Sequence, residues 1–489
     1  MHLRHLISSL LLLLAPAAIA ATQPNIILIV SDDVGYGDLG CYGATHVRTP
    51  NLDRLAREGT RFTDAHATAS VCTPTRFALL TGKYAWRVPG TGIAPGDSTL
   101  LIPEGTPTIA SELKSAGYST GLIGKWHLGL GTTTPDFNTE IKPGPVELGF
   151  DYAFFIPATG DRVPCVFVEN HRVVDLEPTD PITVSYKGRI GNEPIGSEHQ
   201  DWLKIKGDRT HSDAIVNGIS RIGFMTGGHR AQWVDETIAD TLARQAVTFL
   251  ERQKKDQPFF LLLTPHDIHE PMVPNPRFRG TSDCGWRGDV IHQLDWTVGE
   301  VLGTLDRLGL AQNTLVIFSS DNGGAIKSTY DDGTNPLHSR QSPNGILRGQ
   351  KGSLYEGGHR VPFLARWPGH IPAGRESSAL LALVDLLPTF ADLAGRKVSV
   401  GAAPDGVNLK STLLVDAKAK QRPALVLQSN RTTFLAIREG DWKLVETAAG
   451  PQLYNLAADL VEAHDLAKSE PARVKSLAAK LAAERARTQ

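Results

Sequence analysis

The chain has 489 residues, of which 41% are hydrophobic and 21% are charged, as in soluble globular proteins. Lys and Arg number 50 against 52 Asp and Glu, and this balance argues against nucleic-acid binding, which usually needs a basic excess. Four cysteines are too few for a disulfide framework, and the length suits about two to four domains that fold without one.

The first residues are typical of a secretion signal. A short basic start at Arg4 precedes an apolar stretch from Leu6 to Leu14, and Ala18 and Ala20 are small residues two apart, as signal peptidase prefers. We predict a signal peptide over residues 1–20 and a secreted or periplasmic protein. A membrane anchor is the disfavoured alternative, because the apolar run is too short for about 30 Å of hydrocarbon. No later stretch is long and apolar enough to span a membrane, so we expect no membrane association.

Strand and helix patterns alternate in the next part of the chain. Continuous apolar runs predict buried strands over residues 25–30, 118–123, 259–263 and 315–318. Apolar residues at helical spacing predict helices over residues 51–58, 236–253 and 289–308, and a further helix that Thr106 would cap and Gly117 would end. This order indicates an α/β fold with a large, mostly parallel sheet flanked by helices.

Two regions differ from this alternation. Residues 147–228 have weak periodicity and many Gly, Pro and polar residues, which predicts an insertion of loops and short strands near the site. After about Pro372, strand patterns at 424–427 and 442–445 and helix patterns at 386–394 and 474–485 predict a smaller α+β domain. The predicted division is a catalytic domain over residues 21–375 and a C-terminal subdomain over residues 376–489.

Acidic and amide side chains follow two of the predicted strands. Asp32 and Asp33 come after the first strand, and Asp321 and Asn322 come after strand 315–318. Ligands of open α/β sheets bind at the carboxyl ends of strands, so two neighbouring strands would bring these side chains together. Three carboxylates and an amide oxygen suit a hard cation such as Ca²⁺ or Mg²⁺. A single Asp after a strand more often caps a turn, and the two pairs alone leave that alternative open.

A cysteine motif and several further blocks identify a family resemblance. Cys72-Thr73-Pro74-Thr75-Arg76 matches the pattern Cys-x-Pro-x-Arg. The other blocks, in chain order, are Asn25 to Asp33, Thr49 to Asp53, Phe62 to His66, Gly124 to Gly129, Pro265 to Pro271, Ser320 to Gly324, Gly349 to Pro362 and Leu453 to Leu456. Together they resemble the formylglycine-dependent (type I) sulfatases of the alkaline phosphatase superfamily over nearly all of the chain after the signal. Residues 149–172 are similar to the arylsulfatase A and N-acetylgalactosamine-6-sulfatase branch.

The resemblance implies that Cys72 is converted to formylglycine (3-oxoalanine) by a formylglycine-generating enzyme. The hydrated aldehyde has two hydroxyls on one carbon, so one can attack sulfur while the other later collapses to a carbonyl and expels sulfate. A serine hydroxyl would leave a sulfate ester with no such exit. The alternative is a buried structural thiol, the usual state of a free cysteine. The three remaining residues, Cys41, Cys165 and Cys284, allow at most one disulfide.

The resemblance also implies roles for other residues. Metal ligands around Ca²⁺ would be Asp32, Asp33, Asp321, Asn322 and the modified Cys72. Arg76 would orient the hydrate, Lys125 and Lys351 would contact the sulfate, His127 would be the base that releases sulfate, and His269 would be the acid that protonates the leaving alcohol. His266 is a rival for the role of His269. Thr159 stands where relatives often place a serine near the sulfate.

The sequence therefore predicts a secreted, calcium-dependent sulfatase, a sulfuric ester hydrolase that cleaves the S–O bond of sulfate monoesters. Export places such an enzyme among polysaccharides, so a sulfated carbohydrate is the expected substrate. One alternative is a phosphonate or phosphate monoester hydrolase of the same superfamily, which could share the metal ligands and the aldehyde. Another is a catalytically silent protein that binds sulfated glycans and keeps Cys72 as a thiol.

Overall fold

The structure is a computed structural model that describes residues 23–334, 340–415, 422–430 and 433–487. The predicted signal peptide lies outside these described residues. Within them, no helix combines the length and the apolar character that crossing a membrane requires.

Strands and helices are numbered in chain order. The strands are β1 Asn25–Ser31, β2 Thr60–Phe62, β3 Ala65–His66, β4 Ser119–Lys125, β5 Tyr152–Ile156, β6 Val168–Glu169, β7 Arg172–Val173, β8 Thr183–Ser185, β9 Ile215–Val216, β10 Ile219–Ser220, β11 Phe224–Thr226, β12 Phe259–Thr264, β13 Thr314–Ser320, β14 Phe363–Arg366, β15 Arg375–Ser377, β16 Leu381–Ala382, β17 Leu425–Gln428, β18 Leu435–Glu439, β19 Trp442–Val445 and β20 Gln452–Asn455. The α-helices are α1 Pro50–Glu58, α2 Cys72–Thr81, α3 Ile109–Ser115, α4 Ile238–Glu251, α5 Gly285–Arg307, α6 Glu356–His359, α7 Leu386–Leu393, α8 Lys410–Leu413 and α9 Pro471–Ala486.

A ten-stranded sheet organises the larger part of the molecule, with strand order β15-β2-β14-β13-β1-β12-β4-β5-β6-β7. Its five central strands, β13 to β5 in that order, are all parallel to their neighbours. Residues 26–30 of β1 are fully buried, because this strand lies in the middle of a sheet whose two faces are both covered. The predicted α/β fold with a large, mostly parallel sheet is confirmed.

The register of β1 and β13 positions the site. The two strands are neighbours and end together, since Ser31 pairs with Ser320. The residues that follow them, Asp32 and Asp321, therefore emerge side by side at the carboxyl edge of the sheet. The sequence predicted this proximity only on the condition that the two strands were adjacent, and the structure meets that condition.

Two local predictions need correction. Thr108, not Thr106, caps α3: its hydroxyl accepts a hydrogen bond from the backbone N–H of Ser111, and the helix begins at Ile109. The region 147–228 also contains more than an insertion, because β5 pairs in parallel with β4 and extends the large sheet. A strand of five residues gives too short a run for its sheet partner to be recognised from periodicity.

The C-terminal region forms a separate small sheet. Strands β17 to β20 are antiparallel in sequence order, and α9 packs on β18. Leu427, Ile437 and Leu444 form its core together with Leu477 of α9. The predicted smaller α+β domain is thus present, whereas the predicted boundary between residues 375 and 376 stays a prediction.

Candidate active site

The four predicted oxygen ligands lie together at the ends of β1 and β13. Asn322 donates a hydrogen bond from Nδ2 to Asp33 Oδ1 (2.8 Å), and the backbone N–H of Asp33 donates to Asp321 Oδ1 (3.4 Å). Asp33 has a φ of 61°, a left-handed conformation that Asp tolerates better than most residues, and this turns the chain sharply after the strand. Asp32, Asp33, Asp321 and Asn322 are all buried.

The hydrogen bonding of two oxygens in this group indicates whether a cation would fit. Asp32 Oδ1 and Asn322 Oδ1 are buried and have no hydrogen-bond partner. Such oxygens are costly unless something else satisfies them, and carboxylate and amide oxygens are the ligands that Ca²⁺ and Mg²⁺ prefer. Burial and the neighbouring Asp32 also raise the pKa of Asp321. A divalent cation beside this carboxylate would lower its pKa again. The residues present therefore fit a hard divalent cation.

Each of the three carboxylates accepts a short hydrogen bond from a different basic side chain. The pairs are Lys125 Nζ with Asp32 Oδ2 (2.6 Å), Lys351 Nζ with Asp33 Oδ2 (2.7 Å) and Arg76 Nε with Asp321 Oδ2 (2.9 Å). Three negative and three positive groups balance one another. A divalent cation added to this set would leave about two positive charges, and these would favour an anionic ligand.

The ion pairs shift the pKa values of their members. Burial raises the pKa of Asp33, but Lys351, His269 and Lys125 outweigh it and hold the pKa below its usual range. Burial lowers the pKa of Lys351, but Asp33 outweighs it and raises that pKa. Asp33 is therefore a carboxylate and Lys351 an ammonium group throughout the neutral pH range.

Cys72 and Arg76 lie on one face of a buried helix. Cys72 is the first residue of α2, every residue of that helix is buried, and Arg76 follows one turn later on the same side. The motif spans five residues, so Cys72 and Arg76 are four positions apart, and this spacing brings the sulfur and the guanidinium to the same side of the helix. Cys72 Sγ lies 3.2 Å from Nδ1 of His127, which follows β4 and Lys125.

His127 is held in one tautomer. Its Nε2 lies 2.8 Å from the backbone oxygen of Ala94, which can only accept, so Nε2 carries the proton. In the neutral ring Nδ1 is then a bare acceptor that faces Cys72. Burial, Lys125 and Arg162 hold the pKa of His127 well below its ordinary value, so the ring is neutral near pH 7.

Of the two candidate acid histidines, His269 faces the carboxylates. Its Nδ1 donates to the backbone oxygen of Glu270 (2.6 Å), and its Nε2 lies 3.9 Å from Asp33 Oδ2. Burial and Lys351 lower the pKa of His269 to about 3. The ring of His266 lies 5.9 Å behind it, centroid to centroid, and its Nδ1 has no hydrogen-bond partner.

Thr159 belongs to a polar group that the sequence did not single out. Its hydroxyl donates to Asp161 and accepts from Arg162 Nη1 (3.0 Å), and His211 Nε2 lies 3.4 Å from Asp161 Oδ2. Asp161 and Arg162 could have been suspected, because they lie in the segment 149–172 that carries the family resemblance. His211 comes from the far end of the insertion, and no spacing rule connects it to the others.

A small pocket leads from the surface to Asp33 and Lys351. Its volume is about 200 Å³. Its other lining residues are Ile268, Glu270, Met272, Arg287, Ala325, Lys327 and Gln350. The ion pair between Asp33 and Lys351 is therefore reachable by a ligand.

All four cysteines lie within the described residues, and each is a free thiol. Cys72 and the more distant Cys165 and Cys284 are buried, and Cys41 is partly buried. The single disulfide that the sequence allowed among the last three is not formed.

The fold is that of an alkaline phosphatase-like hydrolase, in which buried charged side chains cluster at the strand ends of a parallel sheet. The Sulfatase family model matches residues 24–396. The chain belongs to the sulfatase family and is a sulfuric ester hydrolase.

Three relatives illustrate this membership. An N-acetylgalactosamine-6-O-sulfatase of Bacteroides thetaiotaomicron is 47% identical over 472 residues, which cover 93% of this chain and 92% of the relative. Human arylsulfatase A is 35% identical over 446 residues, covering 89% of this chain and 77% of the relative. A solved structure, described with the metabolism of multiple glycosaminoglycans by Bacteroides thetaiotaomicron, has a TM-score of 0.93 and 46% identity, and covers 96% of this chain and 100% of that chain.

Proposed function

We propose that this sulfatase hydrolyses a sulfate monoester of N-acetylgalactosamine, at O6, with formylglycine at position 72 and a bound Ca²⁺. The observation that carries the mechanism is the convergence of Cys72, His127 and Arg76 with an oxygen cluster that contains two buried, unpartnered oxygens. The sugar and the sulfate position come from the relative that is 47% identical over nearly the whole chain. The predicted signal peptide supports a secreted or periplasmic location.

In this proposal Asp32, Asp33, Asp321 and Asn322 hold the cation together with residue 72. When bound, Ca²⁺ supplies a Lewis acid that polarises a sulfate oxygen. The aldehyde hydrate supplies the oxygen nucleophile. We take the position of Cys72 Sγ as the approximate place of one hydroxyl of the hydrate, because the sulfur and that hydroxyl would both be bonded to the same Cβ.

The basic side chains hold the anion and the charge that develops on it. Lys125 and Lys351 each lie beside a carboxylate of the cluster and have N–H groups left to donate to sulfate oxygens. Arg76 donates to Asp321 and to the backbone oxygen of Lys125 (3.0 Å), so it fixes one lysine while its charge faces residue 72. Fixed charges of this kind need no reorganisation as the S–O bond breaks.

Two histidines move protons at defined atoms. His127 Nδ1 is neutral and faces residue 72, so it can take the hydroxyl proton whose loss releases sulfate. His269 Nε2 lies 3.9 Å from Asp33 Oδ2, beside the proposed cation site, and we assign it the protonation of the leaving alcohol oxygen. Bound sulfate would oppose the effect of Lys351 and bring the low pKa of His269 upward, so that the proton is available when substrate is present.

Intact-mass analysis and a matched substrate set test the proposal together. Conversion of the Cys72 thiol to the aldehyde makes the mature chain lighter by about 18 Da. The converted protein should release sulfate from N-acetylgalactosamine 6-sulfate faster than from N-acetylglucosamine 6-sulfate, and faster than phosphate from the matching phosphate ester. An active protein with the unmodified mass would contradict the nucleophile, and faster phosphate turnover would contradict the reaction. An inactive protein of unmodified mass that binds the sulfated sugar would favour the silent glycan-binding alternative.

A further inference from the structure

The segment 348–359, which carries Lys351, contacts the C-terminal domain at several points. The hydrogen bonds that join the two include Asn430 N–H to Gly352 O (3.3 Å), Arg348 Nη1 to Glu462 O (2.6 Å), and Tyr355 hydroxyl to Gln452 Oε1 (2.8 Å). The Arg348 guanidinium also lies 3.8 Å above the centre of the Tyr355 ring. The backbone N–H of Lys351 itself donates to Gly324 O of the larger domain (3.2 Å), and the rest of its segment is anchored in part by the C-terminal domain.

A fully buried charge cluster strengthens this junction. Lys443 of β19 donates to Glu356 Oε1 (2.8 Å) and to Glu462 Oε1 (2.9 Å), and the backbone N–H of Glu356 donates to Glu462 Oε2 (2.6 Å). All three side chains are 0% exposed. Glu356 also lies beside His66 and His359 in a group with metal-ligand spacing, but Lys443 already supplies the positive charge there. The cluster is therefore structural, and it begins only five residues after Lys351.

The same domain also touches the segment that leads to residue 72. Gln428, the last residue of β17, donates its backbone N–H to Thr68 O (2.9 Å) and accepts from Ser70 N–H (2.9 Å). The oxygen of Ser70 in turn accepts from the backbone N–H of Gly352 (2.7 Å). The hydrogen bond from the Gly352 N–H to the Ser70 oxygen thus links the two segments. Ser70 lies two residues before position 72, and Gly352 lies one residue after Lys351.

We propose that Lys443 is a positioning residue for Lys351. By joining Glu356 to Glu462 it fixes the C-terminal sheet on segment 348–359, and so holds the Lys351 ammonium group beside Asp33. The inference rests on the proposed function, because that function gives Lys351 its sulfate contact. A displacement of about 1 Å in a catalytic group can cost about 10²-fold in rate, so an anchor of this kind matters even far from the chemistry.

A double-mutant cycle tests the coupling. Lys443→Met should lower kcat/KM on 4-nitrophenyl sulfate at least about tenfold when Lys351 is present, and less than about twofold in the Lys351→Ala background. A merely structural role would lower the melting temperature but reduce kcat/KM by the same factor in both backgrounds. Equal factors would overturn the proposal.

Two further variants protect the test against misfolding. Glu462→Gln keeps the shape and the acceptor for the Glu356 N–H while it removes one charge; its loss should be about threefold and should also vanish in the Lys351→Ala background. Arg422→Met is the matched control, because Arg422 forms a buried ion pair with Asp385 near the same domain junction. Among the contacts of the described residues, none joins Arg422 to segment 348–359. Its effects should multiply with those of Lys351→Ala, and a coupling as strong as that of Lys443 would overturn the proposal.

Hydrogen exchange gives a readout that needs no activity. In the full chain, peptides covering residues 348–359 should exchange faster in Lys443→Met than in wild type, and should be unchanged in Arg422→Met. Unchanged exchange in Lys443→Met would overturn the inference whatever the activity. Faster exchange in a protein that hydrolyses no sulfate ester would support the anchor and count against the proposed function, so the two failures are distinguishable.

Discussion

If the proposed roles are right, removal of Lys125 or of Lys351 should impair turnover by a predictable amount. Lys125 is 0% exposed and pairs with Asp32, and the Lys351 side chain is 21% exposed and pairs with Asp33. If both donate to the sulfate as negative charge develops, Lys125→Ala and Lys351→Ala should each lose about 10²–10³-fold in kcat/KM, equivalent to about 2.7–4 kcal/mol. Steady-state hydrolysis of 4-nitrophenyl sulfate measures this loss directly.

The two variants should differ in stability. Lys125→Ala leaves the buried Asp32 carboxylate without its partner, a change that costs about 3–5 kcal/mol when nothing compensates. Saturating Ca²⁺ should recover part of this loss, because the cation would bind the same carboxylate. Lys114→Ala removes an exposed lysine that pairs with Asp151, and it should change neither rate nor melting temperature. Near-normal rates in both active-site variants would refute the assigned roles.

The remaining predictions concern the cation and the histidines. Chelation with EDTA should abolish turnover and lower the melting temperature, and added Ca²⁺ should restore both; full activity in the chelated enzyme would exclude the metal role. His127→Ala should lower kcat about 10²–10⁴-fold, whereas His171→Ala, on a partly exposed residue paired with Glu147, should leave it unchanged. His269→Ala should reduce the rate of sugar sulfate hydrolysis at least about tenfold more than that of 4-nitrophenyl sulfate, a modest share of what acid catalysis contributes. The sugar alcohol is the poorer leaving group and needs the proton more. An equal loss on both substrates would argue against an acid role. Burial lowers the pKa of His266 to about 4, whereas the unfolded chain accepts a proton there below about pH 6.5. Protonation therefore favours the unfolded state. The contribution of His266 should lower the free energy of unfolding by roughly 3 kcal/mol between pH 6.5 and 4. Urea unfolding of wild type and His266→Gln should show a smaller pH dependence in the variant, and identical dependence would contradict the shift.

Local sequence patterns predicted the parts of the site that depend on one element or on two neighbouring strands. The run 25–30 could only be a buried strand, and its end fixed where Asp32 and Asp33 emerge. Such patterns are periodic, and periodicity is what a sequence displays most directly. Cys72 and Arg76 were predicted only as parts of a motif; the helix Cys72–Thr81 that brings them to one face, one turn apart, was not predicted.

Contacts between distant segments were not accessible in the same way. His211 reaches Asp161 across the insertion, and the pairing of β5 with β4 depends on a sheet edge that no local pattern describes. The choice of Thr108 over Thr106 as helix cap depends on which hydroxyl meets the N–H of Ser111, and both threonines satisfy the composition rule. Lys443 looked like one more polar residue of a strand pattern, and its burial between two carboxylates is visible only in the folded chain.

If a cation binds as proposed, the arrangement of charges couples its binding to that of the anion. The lysines and the arginine neutralise the three carboxylates, which are the groups that a cation would also engage. Binding of Ca²⁺ would take over part of that neutralisation and release positive charge toward a sulfate ester. Removal of the cation should therefore weaken anion binding beyond the loss of its own contact, because the carboxylates would then offset more of the positive charge of the lysines. Ca²⁺ should therefore raise the affinity for inorganic sulfate by a larger factor in wild type than in Lys351→Ala. Titration calorimetry measures this reciprocal coupling, and equal factors in the two proteins would disprove it.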